Sequence, residues 1–182
     1  SFFNLHNHTS KMSTKFIRIY IPEKLNKNML TLKKENKIIR GGLIIFWLLF
    51  WLLNTIDKLI TKEVTLWVGK DRISQLTTYF SSIGIENIMI PKITLTIIGL
   101  LEFIALVFFS ISLYYYVNKN LKKARHLFFL GIFTSIVIFS FFAIGDQIFG
   151  DRTELLEHSI YWISSILSWY IFSHSYQEKI EK

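Results

Sequence analysis

GGLIIFWLLFWLLNTI, residues 41 to 56, carries no charge until Asp57 and Lys58. Continued to Ile60, it supplies the roughly 20 apolar residues that a helix rising about 1.5 Å per residue needs to cross a hydrocarbon core about 30 Å thick. This stretch decides the reading of the chain, because in lipid only a structure that satisfies its own backbone hydrogen bonds can span, and a helix does.

Three more runs of the same kind follow. Ile93 to Val117, after Pro91, is apolar except for Glu102 and a few hydroxyls, and it closes on Tyr114, Tyr115 and Tyr116, an interfacial aromatic belt. Leu127 to Ile144 is uncharged, and the short basic turn Asn118 to His126 before it makes these two helices antiparallel neighbours. Ser159 to Tyr176, with Trp162, Trp169 and several Ser, is the fourth span and the least hydrophobic. Between the first two spans Ile73, Leu76, Phe80 and Ile83 recur at spacings of three and four, with Gly84 as a stop. The spacing predicts an amphipathic helix lying on the membrane, with Lys70, Asp71 and Gln75 towards water and Trp67 at headgroup depth. The expected fold is all-α: an integral membrane four-helix bundle with an amphipathic surface helix between spans one and two. Residues 1–40 form a basic tail or surface segment, 41–176 the transmembrane domain and 177–182 a charged tail.

Composition agrees. The 182 residues are 51% hydrophobic and 16% aromatic, with 17 Phe. The absence of Cys removes disulfides, thiol catalysis and Cys-ligated metals. The net charge of +8 sits beside apolar segments and no nucleic-acid motif accompanies it, so the lipid bilayer is the expected partner and nucleic acid is not. No apolar run with a cleavage site occurs in the first 40 residues, and no secretory signal is expected there. Lys and Arg number nine in residues 1–40, four in the Asn118 to His126 turn and two in the C-terminal tail, against six on the other side. The positive-inside rule puts both termini in the cytoplasm or its equivalent.

Few residues offer chemistry. Glu102 lies about nine residues into its span, some 13 Å below the surface, where a carboxylate is costly unless protonated, paired or facing a wet cavity. Its alternatives are a functional site or a neutral hydrogen bond that holds the bundle together. It is expected to face inward and meet Lys58 or a member of the Asp146 to His158 group. Asp57 and Lys58 are interfacial anchors, although the Lys58 stem is long enough to point inward. The connection GDQIFGDRTELLEH brings Asp146, Asp151, Glu154, Glu157 and His158 close together. Thr153 as a cap would make its acids favourable to the helix dipole. The spacing of Glu154 to His158 suits a metal, but the diiron pattern wants Glu-x-x-His on two helices, and no metal is expected. His6 and His8 are two ligands on a solvated tail.

The order of these features resembles the DoxX/DoxD-like family of small four-helix membrane proteins. The matching pieces are Asp57-Lys58-Leu59 closing the first span, FSSIGI from Phe80 to Ile85, and Gly99-Leu100-Leu101-Glu102 in the second, over roughly Arg40 to Phe172. Members follow the Glu with small residues, whereas Phe103, Ile104 and Ala105 follow here. Members known as DoxD form the membrane part of a thiosulfate:quinone oxidoreductase. The resemblance implies a non-catalytic accessory subunit packed against other membrane-protein subunits, or the membrane subunit of a quinone-linked oxidoreductase with Glu102, Lys58 and His158 at its site. No cofactor is expected from the residues, and a quinone is the one the resemblance admits. Glu102 alone motivates a third reading, a small transporter or proton pathway, against which stands the lack of paired spans interrupted by Gly or Pro.

Overall fold

A computed structural model describes residues 23–59 and 71–177, so His6, His8, Trp67, Lys70 and residues 178–182 lie outside the described residues. The described residues are helical, with no strand: α1 Glu23–Leu59, α2 Arg72–Ser82, α3 Met89–Val117, α4 Leu121–Phe149 and α5 Arg152–Gln177. The chain divides into two units, residues 1–34 and 35–182. The described part of the first is the opening of α1, and the second holds the rest of α1 and all the other helices.

Three helices are long and apolar enough to cross a membrane: Lys34–Lys58, Met89–Val117 and Leu121–Phe149, with mean hydropathies of 1.7, 2.3 and 2.5. The sequence predicts a fourth at Ser159 to Tyr176, and here the structure differs, since α5 is long enough but too polar. Six serines between Ser159 and Ser175 lower its hydropathy, and two of them are core residues: Ser165 is fully buried, and Ser168 accepts a hydrogen bond from Trp47 Nε1 at 3.0 Å.

Helix ends also correct the expected boundaries. The basic turn is only Asn118 to Asn120, with Lys119 at φ 60, and α4 begins at Leu121, so Lys122, Lys123 and Arg125 are helical. The acidic connection shrinks to Gly150 and Asp151. Gly150 takes φ 78, a conformation that only Gly adopts without strain, and the N–H of Asp151 returns to the carbonyl of Asp146 at 3.0 Å. Asp151, not Thr153, caps α5, because its Oδ1 accepts from the N–H groups of Thr153 at 3.1 Å and Glu154 at 3.0 Å. Gly84 ends α2 as expected: at φ 82 it lets the N–H of Ile85 reach the carbonyl of Phe80 at 2.9 Å.

α1 and α3 run antiparallel and in step. A side chain at Gly41 would meet Tyr116, and one at Gly99 would meet the Lys58 stem, so advancing seventeen residues along α1 retreats seventeen along α3. α3 packs on α4, α4 on α5, and α2 rests against α3 and α4. The core is aromatic: Trp47, Trp51, Phe109, Phe128, Phe139 and Phe172 are almost wholly buried. Phe128 stacks on Phe172 with centroids 4.3 Å apart, and Trp51 on Phe139 at 5.4 Å. Gly131 is required by this packing, because a Cβ there would lie 2.7 Å from the Phe109 ring.

Candidate functional site: a buried charge network

The carboxyl ends of α1 and α4 and the amino end of α5 gather at one end of the molecule, and α2 lies beside them. Asp57 and Lys58 stand on the last turn of α1. Glu102, mid-helix on α3, is 1% exposed. The Lys58 stem runs along α3 beside Gly99, one turn before Glu102, passing 3.7 Å from where a Cβ would sit. Lys58 Nζ then lies 3.5 Å from Glu102 Oε1 and 3.3 Å from Asp57 Oδ2.

Asp57 Oδ2 also receives Arg72 Nε at 3.2 Å, which carries the network onto α2. Asp71 caps that helix through the N–H groups of Ile73 and Ser74. The cap sets the rotation at which Arg72, Gln75 and Tyr79, spaced three and four apart, form one stripe facing the other helices. Arg72 Nη1 donates to Gln75 Oε1 at 3.1 Å, and Gln75 Nε2 donates to Tyr79 Oη and Glu154 Oε1, both at 2.8 Å. Tyr79 Oη donates to Asp151 Oδ2 at 2.6 Å, and its ring stacks on Phe149. Burial, and then the hydrogen bond to the Asp151 carboxylate, push the Tyr79 phenol up to about 12, since both disfavour a phenolate. Gln75 is therefore half-buried rather than turned to water, because the polar stripe of α2 has carboxylates to meet.

A second pair lies at the same end. Asp146, buried near the end of α4, holds His158 Nδ1 at 2.6 Å, and the imidazole packs against Phe142 and Phe139. Glu154 and His158 thus turn to different partners, Gln75 and Asp146, and do not converge as their spacing allowed. Glu157, on the far side of the same turn, is exposed and belongs to neither group. Among the described residues no three His, Asp or Glu gather as metal ligands.

Of the sequence-predicted residues, the structure brings Lys58 to Glu102 and Asp146 to His158, and leaves Glu157 apart. It adds Arg72 and Tyr79, and it turns Gln75, expected to face water, towards the same network. Glu102 Oε2 has no hydrogen-bond partner among the described residues, nor has Thr55 Oγ1, between Trp51 and Lys58 on α1. A buried polar atom without a partner is uncommon, and on an ionisable side chain it marks capacity to bind. No family model matches the chain, nor does any curated protein or solved structure.

Proposed function

We propose that this chain is an integral membrane protein in which α1, α3, α4 and α5 cross the bilayer as a four-helix bundle, and that it serves as an accessory subunit of a larger membrane complex, as the resemblance to DoxX-like proteins implies. One observation carries the membrane reading: rows of large apolar side chains face outward while small polar ones are turned inward. On α5, Leu156, Ile160, Ile163 and Leu167 recur at spacings of four, three and four, and each is more than half exposed. The same helix turns Ser165 and Ser168 inward. α3 repeats the pattern with Ile93, Ile97 and Leu100 outside and Glu102 and Ser112 inside. A water-soluble helix has the opposite arrangement, whereas lipid accepts the Ile and Leu face and rewards small polar residues between helices. The inversion supports a span for α5 despite its lower hydropathy.

The positive-inside count supports both termini on the cytoplasmic side. Cysteines introduced at Ser74, Asn120 and Thr153 test the topology, with Ser74 and Thr153 labelled from one face of the membrane and Asn120 from the other. Labelling of Ser74 and Asn120 from the same face would remove the four-span arrangement. The accessory role is tested by native purification in mild detergent, where migration of the chain alone at native expression would count against it. The part-buried Asp146–His158 pair favours the alternative, a subunit of a quinone-linked oxidoreductase. Quinone reduction by the purified complex, lost in His158→Phe with assembly intact, would select it.

A further inference from the structure

The two oxygens of Glu102 have different surroundings. Oε1 faces Lys58 Nζ at 3.5 Å, while Oε2 is buried and has no hydrogen-bond partner among the described residues. The rest of the cluster is built so that Glu102 can change charge without orphaning any neighbour. With Glu102 ionised, Lys58 stands between two carboxylates, Glu102 and Asp57. With Glu102 neutral, Lys58 keeps Asp57, and Asp57 Oδ2 keeps Arg72 as well. Neither state leaves a lone buried charge, which is the arrangement that costs most.

Access to solvent is graded. Side-chain exposure rises from 1% at Glu102 through 10% at Asp57 and 12% at Lys58 to 31% at Arg72. The charges set against Glu102 are Lys58 and Asp57 from α1 and Arg72 from α2. Tyr79 on α2, Asp146 on α4, and Asp151, Glu154 and His158 around the start of α5 also lie at this end. Its own helix carries one other charge, Lys92, which is exposed.

We infer that Glu102 Oε2 is a reversible proton-binding site, with Lys58 as its fixed counter-charge. One proton from water adds to a lone pair of Oε2, an O–H bond forms, no bond between heavy atoms breaks, and the charge of the Glu102, Lys58, Asp57 and Arg72 group rises by one. Release returns the same proton to water past Lys58 and Arg72. The inference goes beyond the accessory-subunit reading and rests on the membrane reading only for its apolar surroundings.

The test is modification of the full chain, in its native membranes, by a hydrophobic carbodiimide, which reacts with protonated carboxyl groups, with the labelled site read by peptide mass spectrometry. Glu102 should be modified at acid pH, with labelling at least several-fold lower at alkaline pH, and Lys58→Met should raise labelling at neutral pH several-fold. Absence of Glu102 labelling at every pH, or labelling that ignores pH, overturns the inference. The wild-type protein alone decides this, so poor folding of Lys58→Met does not matter. Alkaline carbonate extraction of the same membranes separates the two readings: release of the chain overturns membrane integration, whatever the labelling shows.

Discussion

The seam between α1 and α3 has two halves that solve the same packing problem differently. In the half around Trp47 and Trp51 the polar hydrogens are neutral and matched. Trp47 donates to Ser168 of α5, and Trp51 donates to Ser135 of α4 at 2.9 Å, while Ser135 donates onward to the carbonyl of Gly131. In the other half Asp57, Lys58, Glu102 and Arg72 meet as charges at 3.2 to 3.5 Å, and one carboxylate oxygen is left over. The neutral Trp–Ser pairs join α1 to α4 and α5 without any charge. A carboxylate as buried as Glu102 within the charged half is the reason to look for function there.

The charged half is most sensitive at Lys58. Lys58→Met strands Glu102 among apolar groups, and at pH values where that carboxylate is ionised the expected loss is about 3 to 5 kcal/mol, with the double variant Lys58→Met/Glu102→Gln recovering most of it. Thermal unfolding in detergent reads both, and a double variant as unstable as the single one would show that the charges hold the seam after all.

Gly131→Ala probes the aromatic half. The added methyl group meets the Phe109 ring, which is fully buried and cannot swing away, so a cost of about 1 to 3 kcal/mol is expected from overpacking. An unchanged unfolding temperature would mean that this half is looser than its burial implies.

The smallest effect is expected at Tyr79, on the rim of the charged half. Its folded-state pKa of about 12 lies above the ordinary value of 10, so the folded chain holds this proton more tightly than the unfolded chain. The stabilisation is complete below pH about 10 and is lost as pH rises through about 12. Tyr79→Phe should cost about 0.5 to 1.5 kcal/mol at neutral pH, the net value of a typical hydrogen bond, and should flatten the alkaline limb of the stability profile. A limb equally steep in the variant would assign it to another group.

Much of this architecture was legible because long apolar runs bounded by polar turns mark helices directly. Ile93 to Val117 and Leu127 to Ile144 lie within α3 and α4, and the extra turns at the ends of α4 are polar turns that a hydropathy window omits. α5 is the exception, since Ser159 to Tyr176 reads as a span but its serines hold it below the hydropathy of the other three helices. Lys58 could be named in advance as one partner for Glu102, beside the Asp146 to His158 group, because a carboxylate deep in an apolar run needs a polar partner; the structure selects between them. Gln75 was misassigned for the converse reason: an amphipathic pattern tells which residues share a face but not what that face meets. Thr153 and Asp151 are both good N-caps, and the choice between them depends on where α4 stops. Glu157 fell away from the site by helical rotation, about 100° from its neighbour His158.

The corner at Gly150 and Asp151 ties two helices into one unit. With two residues between α4 and α5, and Asp151 engaged both in closing the first helix and in opening the second, the pair forms a single hairpin. On the membrane reading, α5 is too polar to partition alone during synthesis. It enters on the apolar credit of α4, which makes the hairpin, rather than the single helix, the unit of biogenesis.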